Sequence, residues 1–223
     1  MKKLEAVIFD MDGVLFDTER MSCECCFEAA KQLGLTLAEE AVYGGCGRNE
    51  VSLRRHIMET EEPWYPNGTF PYEKYRERFM ALFQESLERE LPIKKGVREL
   101  LEYLKEKQIK TAIASSTKGP LVRKHLERTG LSGYFQEIVS GDMVEKSKPE
   151  PDIYLKACEA VGVLPENAMG IEDSFNGIRA VAAAGMTAVM VPDMVQPDEE
   201  IRQIYDYCVQ DLLEVKELIE LLA

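Results

Sequence analysis

The chain has 223 residues, enough for one sizeable domain or for a core domain with a smaller companion. Hydrophobic residues make up 45% and charged residues 30%, as in ordinary globular proteins, and 15 Gly with 10 Pro exclude collagen-like and low-complexity chains. Forty acidic against 27 basic residues give a formal charge of −13, which sets the body against phosphate backbones and anionic bilayers. Neither nucleic acid nor a membrane is therefore an expected partner. A small anionic substrate stays open, because a few local cations or a metal ion can reverse the field inside one cleft.

In chain order, Ala6-Val7-Ile8-Phe9 is a continuous apolar run closed by Asp10 and predicts a strand buried on both faces. From Thr18 to Glu90 no strand-like run occurs. Helical periodicity covers Glu19 to Leu33, Asn49 to Glu59 and Tyr72 to Glu90, with Pro63, Pro66, Asn67, Gly68 and Pro71 marking a loop before the last helix. Then the text alternates. Helices are expected over Val97 to Gln108, Pro120 to Arg128, Asp152 to Val161 and Ser174 to Ala184. Strands are expected at Thr111 to Ala114, Glu137 to Ser140, Ala168 to Ile171 and Thr187 to Val191. Gly130, Gly162 and Gly185 stand where helix stops belong. This alternation predicts a Rossmann-like α/β fold, a doubly wound parallel sheet. The core spans 1–17 and 91–223, and 18–90 forms an inserted all-helical cap domain.

No apolar run approaches the roughly 18–20 residues that cross a bilayer. The start, Met1-Lys2-Lys3-Leu4, leads into a stretch cut by Glu5 and closed by Asp10, too short and too acidic for a signal peptide. A cytoplasmic monomer is expected. Cys23, Cys25 and Cys26 crowd one helix, while Cys46, Cys158 and Cys208 are scattered, no CxxC occurs, and the histidines are His56 and His125. Reduced, mostly buried thiols fit this better than a zinc site. Both histidines lie in charged helical stretches and read as surface residues. Trp64 and Tyr65 read as cap packing.

Ligands of an open parallel sheet bind beyond the carboxyl ends of its strands. The first strand delivers Asp10 and Asp12 there, the second Ser115 and Ser116, and the fourth Glu172 and Asp173. Lys148 lies in the loop after the third, within Ser147-Lys148-Pro149-Glu150-Pro151-Asp152. Singly, each has a plain reading: Asp12-Gly13 as a turn, Lys148 as a solvated cation, Asp173 or Ser174 as a helix cap. Together, four carboxylates at one edge are costly without a cation. Hard oxygen donors suit Mg²⁺, and an ammonium with a hydroxyl can hold phosphate oxygens, which is what phosphoryl transfer requires.

Asp10-Met11-Asp12-Gly13-Val14-Leu15 resembles the DxDGxL signature of the haloacid dehalogenase superfamily. Ser115, Lys148 in its SKPxPD context and Gly170-Ile171-Glu172-Asp173-Ser174 are similar to its second, third and fourth motifs, in order along nearly the whole chain. The helical insertion resembles the cap of the subfamily that includes sugar-phosphate phosphatases and β-phosphoglucomutase. The resemblance implies Asp10 as a nucleophile that forms an aspartyl-phosphate, and Asp12 as acid and then base. It implies Mg²⁺ on Asp10, the backbone carbonyl of Asp12 and Asp173 with Glu172 in support, and Ser115, Ser116 and Lys148 on the phosphoryl group.

Substrate choice belongs to the cap, where Gly44 to Glu50 forms a glycine-rich loop before a helix. By resemblance its Arg48 is the candidate anchor for a distal phosphate or polar group; an ordinary helix-start arginine is the alternative. Lys74, Arg76 and Arg78 are further candidates to face the cleft. The expected function is a Mg²⁺-dependent phosphatase of a small phosphorylated metabolite, a sugar phosphate in particular. A phosphomutase is the alternative, and a non-enzymatic phospho-switch of the receiver type a remote one. In the family's mutases a DTxxxH-like pattern places a His on the helix after the first motif. This chain keeps Asp17-Thr18 and then has Ser22 where that His stands.

Overall fold

The structure is a computed structural model that describes residues 3–46, 50–65 and 70–222. Six strands form one sheet: β1 (Ala6–Phe9), β2 (Lys110–Ser115), β3 (Glu137–Ser140), β4 (Ala168–Glu172), β5 (Thr187–Met190) and β6 (Tyr207–Cys208). Their order is β3-β2-β1-β4-β5-β6 and every neighbouring pair is parallel. β1 contributes Ala6 and Ile8 to one face and Val7 and Phe9 to the other, and all four are fully buried. Both faces must therefore be covered, which is what a continuous apolar run in a parallel sheet implies. On one face α7 (Asp152–Val161) and α8 (Phe175–Ala183) bury Tyr154, Ala157, Ile178 and Val181 against Ile8, Ala112 and Ala114. The remaining helices of this unit are α5 (Val97–Glu106), α6 (Gly119–Thr129) and α9 (Leu212–Leu222).

The chain divides into two compact units, Met1–Asp17 with Ile93–Ala223, and Thr18–Pro92. The α-helices among the described residues of the second unit are α1 (Thr18–Gln32), α2 (Glu39–Tyr43), α3 (Glu50–Glu61) and α4 (Tyr72–Arg89). Its core gathers Cys25, Ala29, Ala30, Ile57, Phe70, Tyr75 and Phe79. Among the described residues, no helix is long and apolar enough to cross a membrane.

Gly130 and Gly162 cap α6 and α7 in the left-handed conformation, with φ of 68° and 65°, where a side chain would be strained. Two expectations, for His125 and Trp64, need correction. His125 is 2% exposed, because α6 turns it inward against Phe16, ring centroids 6.0 Å apart. The Cys46 Sγ lies 3.7 Å from that of Cys23, and both thiols are free. Trp64 is 78% exposed, while Tyr65 packs edge-on against Phe70 at 5.1 Å. The short α2, the edge strand β6 and α9 add to the expected elements.

Candidate active site

β1 lies where the strand order reverses, with β2 on one side and β4 on the other. A crevice opens at the carboxyl ends of such a switch point. Asp10 directly follows β1, and its amide donates to the Ile171 carbonyl at 3.0 Å, which fixes the residue against β4. Ser115 and Glu172 end β2 and β4, Asp173 follows, and Lys148 reaches in from the loop between β3 and α7. The turn after Asp10 needs its glycine twice over. Gly13 has φ of 80°, and a Cβ there would fall 2.1 Å from Asp173 Oδ2.

Lys148 is the hub of a buried network. Its Nζ donates to Asp10 Oδ1 at 2.5 Å, to Glu172 Oε1 at 2.5 Å and to the Ala114 carbonyl at 3.0 Å. The Tyr154 hydroxyl donates to Glu172 Oε1 at 2.6 Å, and the Ser174 hydroxyl to Oε2 at 3.0 Å. Ser174 is also the N-cap of α8, accepting from the Gly177 amide at 3.1 Å. The Asp12 Oδ2 accepts the Thr117 hydroxyl at 2.8 Å. Ser115 is buried, and its Oγ accepts the Thr117 amide at 3.1 Å, while Ser116 is exposed beyond the strand end.

Burial is the largest influence on the Asp10 carboxyl and pushes it well above the ordinary carboxylate range. Lys148 opposes that shift, and Glu172 and Asp12 reinforce it. Burial alone would lower Lys148, but Asp10 and Glu172 outweigh it and raise the ammonium above its usual range, so it stays charged. The Tyr154 phenol is likewise raised, by burial and then by Glu172, and stays a neutral donor.

Asp10, Glu172 and Asp173 each offer a carboxylate oxygen within 4.8 Å of the others. Three carboxylates against one ammonium leave excess negative charge, with Asp10 and Glu172 buried and Asp173 half-buried. This all-oxygen set fits a hard divalent cation such as Mg²⁺. Both Glu172 oxygens already carry protein donors.

The geometry thus brings Asp10, Ser115, Lys148, Glu172 and Asp173 to one sheet edge, with Asp12 two residues on. Arg48 lies outside the described residues. Arg76 pairs with Glu50 and lies over the Phe79 ring at 5.0 Å, and Arg78 donates to Gln32 at 2.6 Å, so both have partners within their own unit. Lys74 is exposed. Two residues that sequence reasoning missed are Thr117, on Asp12, and Tyr154, on Glu172. Thr117 is one step past Ser115-Ser116. Tyr154 sits in the first turn of α7, where its spacing reads only as core.

The family described as haloacid dehalogenase-like hydrolase matches residues 7–191. The chain is 34% identical over 189 residues to the phosphorylated carbohydrates phosphatase of Thermotoga maritima, covering 83% of this chain and 84% of the relative. It is 29% identical to hexitol phosphatase B of Escherichia coli, covering 86% and 85%. A crystal structure from Thermotoga maritima, provisionally described as a β-phosphoglucomutase, superposes with a TM-score of 0.78 at 31% identity. It spans 98% of this chain and 100% of that one.

Proposed function

The chain belongs to the haloacid dehalogenase-like hydrolases, and from that premise we propose that it is a Mg²⁺-dependent phosphatase of small phosphorylated carbohydrates. One observation carries the reading. A buried carboxylate at the switch point, Asp10, is paired with a buried ammonium, Lys148, beside a second carboxylate able to share a cation, Asp173. The named activities of the two phosphatase relatives support the substrate class.

In this reading an Asp10 oxygen attacks phosphorus, the bond from phosphorus to the ester oxygen breaks, and Asp12 gives that oxygen its proton. Water then attacks the phosphorus of the aspartyl-phosphate, the bond from phosphorus to the Asp10 oxygen breaks, and the water gives a proton to Asp12 as inorganic phosphate leaves. Lys148 and Ser115 hold phosphoryl oxygens, and Ser116 offers its backbone. Asp10, the Asp12 carbonyl and Asp173 would hold Mg²⁺, with Glu172 in support. Bound there, the cation would supply charge neutralisation for the transferring group. The helical unit Thr18–Pro92 acts as the cap that selects substrate, with Arg48 its candidate anchor. The similarity to a provisional mutase favours phosphomutase as the second reading. The test is phosphate release, with Mg²⁺ present, across a panel of hexose, pentose and hexitol phosphates beside non-carbohydrate phosphate esters. Release confined to the non-carbohydrate esters would contradict the proposed class.

A further inference from the structure

Glu172 is fully buried, and its carboxylate is gripped from three elements. Lys148 and Tyr154 share Oε1, at 2.5 and 2.6 Å, while the Ser174 amide and hydroxyl share Oε2, at 3.3 and 3.0 Å. A carboxylate has about four acceptor positions, so protein donors satisfy this one. Gly177 closes the remaining side, since a Cβ there would fall 1.8 Å from Glu172 Cδ.

Tyr154 has a place in this cluster that its neighbours lack. It is fully buried in the first turn of α7, and its ring lies under the Lys148 ammonium, 5.1 Å from Nζ to centroid. One side chain thus touches both Glu172 and the lysine that Glu172 holds. By sharing Oε1, the hydroxyl weakens the hold of Glu172 on the ammonium, which stays within 2.5 Å of Asp10. The ring face adds cation–π attraction from below. A phenylalanine would pack as well but would leave Oε1 to Lys148 alone.

We infer that Tyr154 is a positioning residue of the phosphoryl site, holding the Lys148 ammonium between Glu172 and Asp10. The inference rests on the reading of Lys148 as a phosphoryl-binding group. Tyr154 reaches no reacting atom itself and acts only through these two side chains.

The test is calorimetric titration of the Mg²⁺-loaded protein with inorganic phosphate, which needs no turnover. Tyr154→Phe is expected to weaken phosphate binding about tenfold, the loss of one hydrogen bond to a charged group. Tyr154→Met, which also lacks the hydroxyl but packs differently, is expected to weaken it at least as much, and it reports if the Phe variant fails to fold. Ile153→Val, a neighbouring core change in α7, should lower the melting temperature and leave phosphate affinity unchanged. Phosphate affinity within twofold of wild type in a folded Tyr154 variant would overturn the inference, as would an equal loss in Ile153→Val. Failure of the wild-type protein to bind phosphate would overturn the reading of Lys148, and this inference with it.

Discussion

Asp10 and Lys148 are 138 residues apart in sequence and 2.5 Å apart in space. The pair holds the proposed nucleophile in one direction, and both side chains are almost wholly buried. Asp10→Asn keeps the shape and the contact to Lys148 but removes the charge and the nucleophilic oxygen. Phosphate release should fall by about a thousandfold or more, as when an essential nucleophile is lost, with circular dichroism unchanged. Turnover of more than a few per cent, in protein free of contaminating phosphatase, would refute the assignment of Asp10.

A second expectation concerns the cation. Removing divalent ions should abolish phosphate release, Mg²⁺ should restore it, and Ca²⁺ should do so poorly, since it takes more ligands at longer bonds. Mg²⁺ should also raise the melting temperature, because it would bind only the folded cluster of Asp10, Glu172 and Asp173. The thermal shift is independent of turnover. A melting temperature indifferent to Mg²⁺ would count against that cluster as the cation site.

What the sequence makes legible here follows from pattern strength. β1 and β4 are continuous apolar runs ending in carboxylates, so the strands and the shared edge of Asp10, Glu172 and Asp173 can be read directly. β6 has only two residues and exists through its pairing with Val189 and Met190, so no local pattern marks it. α9 does carry a stripe, with Leu212, Val215 and Ile219 buried, but it lies beyond the last strand that ends in a chemical motif. Tyr154 and Thr117 are invisible for another reason. Their partners are distant in sequence, so only the assembled sheet edge brings Tyr154 to Glu172 and Thr117 to Asp12.

A third prediction tests how tightly the Glu172 end of the network is packed. Gly177→Ala puts a methyl group 1.8 Å from Glu172 Cδ, in a carboxylate already fixed by Lys148, Tyr154 and Ser174. The variant should lose about 1–3 kcal/mol of stability, the usual cost of overpacking, and phosphate release should fall more than the stability loss explains. Denaturant melts and turnover at a temperature where the variant is fully folded separate the two effects. Wild-type values in both would mean that Glu172 has room to move.

The buried His125 carries a pH signature. Burial lowers its basicity below the ordinary 6.5, Arg128 and Lys124 add to this, and Asp12 opposes it. Its Nδ1 is buried without a hydrogen-bond partner. With a folded-state pKa below the unfolded one, the unfolded chain takes up a proton first as pH falls through about 6.5, so stability drops from there downward. His125→Leu removes this linkage and one unpaired buried polar atom. Its melting temperature should equal or exceed wild type near pH 7 and decline less between about pH 6.5 and pH 5. Parallel curves for the two proteins would refute the assignment.

The last prediction separates hydrolysis from phosphoryl shuttling. A mutase must shield its aspartyl-phosphate from water long enough to return the group to another position of the same sugar. By the family resemblance, the mutases use a His on the helix after the first motif to help gate that choice. Ser22 occupies this position on α1 and is half-buried. Its hydroxyl is smaller than an imidazole and carries no charge. His56 is engaged elsewhere in the helical unit, its Nε2 lying 2.9 Å from the Glu40 carbonyl, and His125 is buried against Phe16. Hydrolysis should therefore dominate. The measurement is to incubate the protein with β-glucose 1-phosphate, Mg²⁺ and a trace of glucose 1,6-bisphosphate, following glucose 6-phosphate and free phosphate together. Free phosphate is expected to outpace glucose 6-phosphate, and Ser22→His should shift the ratio toward the isomer. If glucose 6-phosphate appears much faster than free phosphate in the wild-type protein, the mutase reading replaces the phosphatase one, and the gate must then be built from residues other than a histidine at position 22.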